Sequence, residues 1–83
     1  MWIVVRLFSD CSTLDDVDIE KFNTRDSAVE YLIKAVTEDI VNAEEERSTV
    51  VIEEKYRAKF DRLKAGEDLR IEYGANSWEL RNL

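Results

Sequence analysis

Residues 2–8 read Trp-Ile-Val-Val-Arg-Leu-Phe, and this run decides the fold. It is rich in β-branched and aromatic side chains, which suit a pleated, half-buried surface. At a period of two, Ile3, Val5 and Leu7 share one face and Trp2, Val4, Arg6 and Phe8 share the other. Both faces are partly apolar. The run therefore predicts a central strand, covered on one side by a helix.

The covering helix lies downstream. Val29, Leu32, Ile33, Val36 and Ile40 recur at helical spacing, which predicts a helix over 25–46. Thr24 or Asn23 serves as its N-cap. Asp26 falls in the first turn, where the helix dipole favours an anion. Ser27 and Glu30 form an alternative capping box. The helix closes on Glu44, Glu45 and Glu46, the wrong sign for a C-terminus, so either a basic neighbour compensates or the carboxylates serve another use.

Between strand and helix, residues 9–16 are polar and read as a loop. Residues 17–22 alternate Val17 and Ile19 with Asp18 and Glu20, the pattern of a short charged edge strand. Beyond the helix, Thr49-Val-Val-Ile favours a strand by local preference. Yet Ile52, Tyr56, Phe60 and Leu63 fall on one helical stripe, and the basic residues Lys59, Arg62 and Lys64 stand late, as the dipole prefers. These predict a second helix over 49–65 stopped by Gly66. A continuous long helix through Arg47 is the competing reading. Leu69, Ile71 and Tyr73, then Trp78 and Leu80, alternate with charged residues around Gly74, and predict a hairpin of strands 68–73 and 77–82 with a loop of roughly four residues. The expected fold is one α+β domain over residues 1–83: a small antiparallel sheet with two helices on one face.

Composition limits the function. With 83 residues, a chain buries only about 60–65% of its unfolded surface, leaving a thin core and little room for a deep cleft. Hydrophobic residues make up 45%, too many for a disordered chain. The chain has no histidine, which removes the commonest general base and metal ligand and excludes Cys/His zinc sites and histidine-dependent nucleophilic catalysis. Cys11 is the single cysteine, between Asp10 and Ser12, and forms no internal disulfide. A reducing cytoplasm is the expected compartment. The apolar start is too short for a membrane span or a signal peptide. Asp16-Val-Asp18-Ile-Glu20 matches the opening of a calcium loop, but Lys21 stands where glycine belongs and Ser27 where the bidentate glutamate belongs. No catalytic residue, metal ligand or cofactor is assigned, and the protein is expected not to be an enzyme.

Charge is the positive signal. The net is −7, and it is lopsided. Residues 1–46 hold twelve acids and four bases; residues 47–83 hold seven acids and eight bases. A net-negative chain is a poor ligand for nucleic acid or anionic membrane, and a plausible ligand for a basic protein that itself binds nucleic acid. On a strand, Asp16, Asp18 and Glu20 point the same way at intervals of about 6.5–7 Å, of the order of successive phosphates along a DNA strand. Glu38, Asp39, Glu44, Glu45 and Glu46 add a second cluster, and Asp10 and Asp15 flank the first. The competing reading of all ten is ordinary solubilising charge. The basic stretch Lys55, Arg57, Lys59, Arg62 and Lys64 reads first as a complement to the helix dipole and to the acidic first helix. Trp2, Tyr31, Tyr73 and Trp78 are core residues or, if exposed beside the acids, binding anchors.

In size, acidity and missing catalytic groups the chain resembles the small inhibitor proteins of phages and mobile elements, of the anti-CRISPR and anti-restriction type. The residues carrying the resemblance are Asp10, Asp15, Asp16, Asp18, Glu20, Glu38, Asp39, Glu44, Glu45 and Glu46. The resemblance is one of type and rests on no specific motif. It implies a nucleic-acid mimic, a monomer or weak homodimer, that occupies the groove of a defence nuclease in the host cytoplasm. The alternative expectation is a self-associating adaptor or antitoxin-like module that pairs through the apolar faces of the first strand or the hairpin.

Overall fold

The computed structural model describes residues 1–9, 15–44, 48–74 and 76–82. Seven elements follow in order: β1 (Trp2–Ser9), β2 (Asp15–Phe22), α1 (Arg25–Glu44), α2 (Thr49–Lys55), α3 (Arg57–Lys64), β3 (Arg70–Tyr73) and β4 (Asn76–Asn82). The four strands form one antiparallel sheet in the order β2-β1-β4-β3, so β1 is central and β2 is an edge. The α+β class with a small antiparallel sheet is as expected.

Register assigns the faces, because residues directly opposite on neighbouring strands share a side of the sheet. Val4 faces Leu80 and Arg6 faces Trp78 across β1 and β4, and Ile71 of β3 faces Trp78. These positions point toward the helices. Val4, Trp78, Leu80 and Ile71 join Ala28, Val29, Leu32, Val36 and Ile40 of α1 in one buried core. The second layer of this core comes from Ile52 of α2 and Phe60 and Leu63 of α3. The other face of the sheet carries Ile3, Val5 and Leu7 of β1 and Val17 and Ile19 of β2. Ile3 is buried, and Val17 and Ile19 are each 54% exposed.

Local chemistry sets the element ends. At the start of α1 the Thr24 carbonyl accepts from the Ala28 N–H, and its hydroxyl oxygen lies 3.3 Å from the Ser27 N–H. At the end of α3 the Gly66 N–H donates to the Leu63 carbonyl and the Glu67 N–H to the Arg62 carbonyl. This is the Schellman pattern, and Gly66 takes the positive φ of +107° that it requires. Arg25 locks this end to α1. Its guanidinium donates to the carbonyls of Leu63 and Glu67, both at 2.7 Å, and lies 5.7 Å from the Trp2 ring centre.

Three boundaries differ from expectation, and a fourth lies outside the described residues. Strand β2 begins at Asp15 rather than 17, because pairing with Phe8 and Ser9 carries poor strand formers into the ladder. The helix expected over 49–65 is two, broken at Tyr56 with φ −105° and ψ 8°. The break is shallow: Tyr56 still donates to the Ile52 carbonyl and accepts from the Phe60 N–H, so the stripe of Ile52, Tyr56, Phe60 and Leu63 stays on one side. The hairpin is tighter than four residues, since Tyr73 pairs with Asn76 and leaves only positions 74 and 75 between the strands. Gly74 stands there with φ +59°, which a two-residue hairpin turn demands. Helix α1 is described to Glu44; the expected extension to 46 lies outside the described residues.

Candidate acidic interface between the sheet edge and the first helix

Strand β2 and helix α1 meet over Arg6. Arg6 stands on the helix side of β1, among apolar neighbours, with a side chain only 19% exposed. A cation there needs partners, since an unpaired buried charge is costly. Its Nη2 donates to Oδ2 of Asp39 at 2.8 Å and its Nη1 to the hydroxyl oxygen of Tyr31 at 3.2 Å. Burial works against the charge, but the bonds to Asp39 and Tyr31 outweigh it and raise the guanidinium pKa above its usual value. Arg6 therefore stays charged throughout the ordinary pH range.

Asp39 is shared. The indole N–H of the fully buried Trp78 donates to the same Oδ2 at 3.1 Å. One carboxylate oxygen thus satisfies a half-buried guanidinium and a buried indole, joining α1 to both central strands. Its side chain is 23% exposed. Placed in the sequence among the partner-binding acids, Asp39 is an internal tie.

Asp18 meets the same arginine from the other side. Register sets it directly opposite Arg6, and its Oδ2 lies 3.9 Å from Nη1. That is beyond hydrogen-bond reach. Its side chain is 66% exposed. Glu20 follows on the same face, opposite Val4, and is exposed. Glu38 is exposed on α1 and lines a shallow hollow with Arg6, Tyr31, Lys34 and Asp39. Phe22 closes the far end of this flank, packing on Tyr31 with ring centres 5.2 Å apart.

Of the ten acids singled out from sequence, Asp18, Glu20, Glu38 and Asp39 thus gather along one flank, against the cations Arg6 and Lys34. Asp15 and Asp16 belong to the same strand through their backbone pairing with Ser9 and Phe8. Glu44 closes α1 at the described end of the helix. Asp10, Glu45 and Glu46 lie outside the described residues, as does Cys11.

The basic stretch lies on α2 and α3. Lys55, Lys59, Arg62 and Lys64 are exposed on α2 and α3. Arg62 pairs with Glu67 at 2.8 Å, and the Lys59 ammonium lies 5.8 Å from the Tyr56 ring centre. Lys64 lines the groove where α1 meets α2 and α3, with Glu30, Glu38 and Glu53. Among the large aromatics, Trp78 is core, and Trp2, Tyr31 and Tyr73 are half-buried against it.

Sequence reading missed the Arg6–Asp39–Trp78 tie. The signal was present: an arginine on an otherwise apolar strand face requires an acid from the packed element, and Asp39 adjoins the core residue Ile40. No family model, curated protein or solved structure matches the chain. Among the described residues no helix is long and apolar enough to cross a membrane.

Proposed function

We propose that the protein is a non-catalytic binding protein whose acidic flank, formed by β2 and α1, covers the cationic nucleic-acid groove of a partner. The observation that carries this reading is the placement of the exposed Asp18 and Glu38 on either side of an arginine that Asp39 already holds, with the exposed Glu20 next along the same face of β2. Asp39 holds Arg6 at 2.8 Å, while Asp18, 3.9 Å from the same guanidinium and 66% exposed, and the exposed Glu20 and Glu38 still face solvent or a partner. Carboxylates repeating along a strand at about 6.5–7 Å present charge at a spacing that phosphate-binding lysines and arginines accept. The partner is a basic nucleic-acid-binding protein, such as a defence nuclease. The setting is the cytoplasm of the cell harbouring the phage or mobile element that encodes the inhibitor. The mechanism needs no cofactor, direct nucleic-acid contact or membrane.

The test uses Asp18→Asn, Glu20→Gln and Glu38→Gln together, exchanges that keep shape and remove charge. Captured from a host lysate, partners of the wild-type protein should elute steeply as salt rises, and the triple variant should capture none of them while its melting temperature stays near wild type. Capture that ignores both salt and the triple exchange would reject the acidic mechanism.

A second reading is favoured by the open sheet face, where Leu7, Val17 and Ile19 expose apolar surface. Two copies stacked through this face would make the protein a self-associating adaptor. Light scattering at micromolar concentration distinguishes them: a monomer supports the acidic inhibitor, and a stable dimer abolished by Val17→Thr with Ile19→Thr supports the adaptor.

A further inference from the structure

We infer that the outer edge of β2 accepts an extended segment of the partner as a fifth strand, and that this segment alternates basic with apolar side chains. The inference rests on the acidic-flank reading and specifies how the partner docks. Strand β2 is eight residues long and stands at the end of the sheet, bonded among the described residues to β1 alone. In an antiparallel pair alternate residues turn both backbone groups away from the partner strand. Along β2 those outward N–H and C=O groups meet no other backbone among the described residues. An edge of this kind is the template for strand addition.

The side chains specify what fits. Toward the helices β2 presents Asp18 and Glu20; toward the open face it presents Val17 and Ile19, each 54% exposed. An added strand places its residues directly opposite these, on the same two sides. Lysine or arginine opposite Asp18 and Glu20 extends the row that runs from Trp78 through Arg6 to Asp18. Apolar residues on the other side extend the patch of Val5, Leu7, Val17 and Ile19 across the sheet.

The same pattern disfavours antiparallel pairing with a second copy of the chain at this edge. A two-fold axis normal to the sheet keeps helix side on helix side. The antiparallel register that sets Val17 opposite Ile19 of the second copy sets Asp18 opposite its own counterpart, and the register that sets Ile19 opposite Ile19 sets Asp18 opposite Glu20. Like charges directly opposite destabilise the pair. The acids both refuse self-pairing and select a cationic strand.

The probe is a capped synthetic octapeptide of alternating lysine and valine. One control has the same residues in two blocks, and another has glutamate in place of lysine. The alternating peptide should bind, with the blocked peptide weaker by about tenfold and the glutamate peptide not binding. Binding should slow hydrogen exchange at alternate amides of residues 15–22, the outward set, and leave β3 unchanged. Asp18→Asn with Glu20→Gln should weaken it about tenfold; Val17→Thr with Ile19→Thr should also weaken it. Equal binding of the alternating and blocked peptides, with exchange in β2 unchanged, overturns strand addition and leaves the acidic flank standing. Slowed exchange without loss of affinity in the Asp18/Glu20 variant overturns the requirement for a cationic strand, and with it the acidic reading at this site. A β2-mediated dimer of the chain alone overturns the inference as well.

Discussion

The two edges of the sheet are built to opposite ends. Strand β3 is four residues long, buries Ile71 completely, and pairs its own charges, Arg70 with Glu72 at 3.2 Å. It is short and self-neutralised, as protected edges are. Strand β2 is twice as long, leaves Val17 and Ile19 half-exposed, and presents Asp18 and Glu20 to solvent. The difference teaches that β2 contributes little to the core of the fold and much to its surface. One edge finishes the domain; the other is open for contact.

Substitutions that separate the edges by stability should follow this division. The largest effect belongs to β3: Ile71→Ala removes a fully buried side chain beside Trp78 and should cost about 2–5 kcal/mol in denaturant unfolding. Ile19→Ala on β2, at matched chemistry, should cost less than about 1 kcal/mol, because half its surface is already in water. Equal costs would break the comparison.

Next in size is the contrast between the two carboxylates at Arg6. Asp39→Ala leaves a half-buried guanidinium and the buried Trp78 indole without their shared acceptor, and should destabilise by about 2–4 kcal/mol. A loss on that scale lowers the melting temperature by roughly 10–25 °C in a domain of this size. Asp18→Asn, on the other side of the same arginine, should change stability by less than about 0.5 kcal/mol and act on binding instead. If Asp18 proved as important to stability as Asp39, the flank would be a structural network.

The smallest expected effect is at the closed edge. Arg70→Ala breaks an exposed ion pair and should cost about 0–1 kcal/mol, with the loss shrinking as salt is added. It should leave partner capture unchanged, whereas the charge-removing exchanges on β2 abolish it.

Much of this arrangement was legible in the sequence, for identifiable reasons. The period of two in Trp2–Phe8 placed β1 at the centre of the sheet, and the helical spacing of Val29, Leu32, Val36 and Ile40 placed α1 upon it. Gly66 marked the end of α3 because no other residue takes its φ without strain. Local preference failed where tertiary pairing prevailed. Asp15 and Asp16 are poor strand formers, yet they pair with Ser9 and Phe8 in the hairpin. Residues 73 and 76 close a turn tighter than composition suggested.

The candidate site was half legible. The alternation in 17–22 put Asp18 and Glu20 on one face. It gave no means of telling Glu38 from Asp39, which stand next to each other in the chain. One residue along a helix is a rotation of about 100°, enough to turn Glu38 to solvent and Asp39 onto Arg6. That distinction depends on contacts spanning 33 and 39 residues of sequence, which no local pattern encodes.

The most direct test is competition on a captured partner. With the partner immobilised and the wild-type protein bound, a nucleic-acid duplex is titrated in and both ligands are followed at constant ionic strength. Mutual displacement is the predicted result, with the Asp18→Asn, Glu20→Gln, Glu38→Gln variant unable to displace the duplex. A ternary complex, with duplex and wild-type protein bound to the partner together at their separate affinities, would contradict the account.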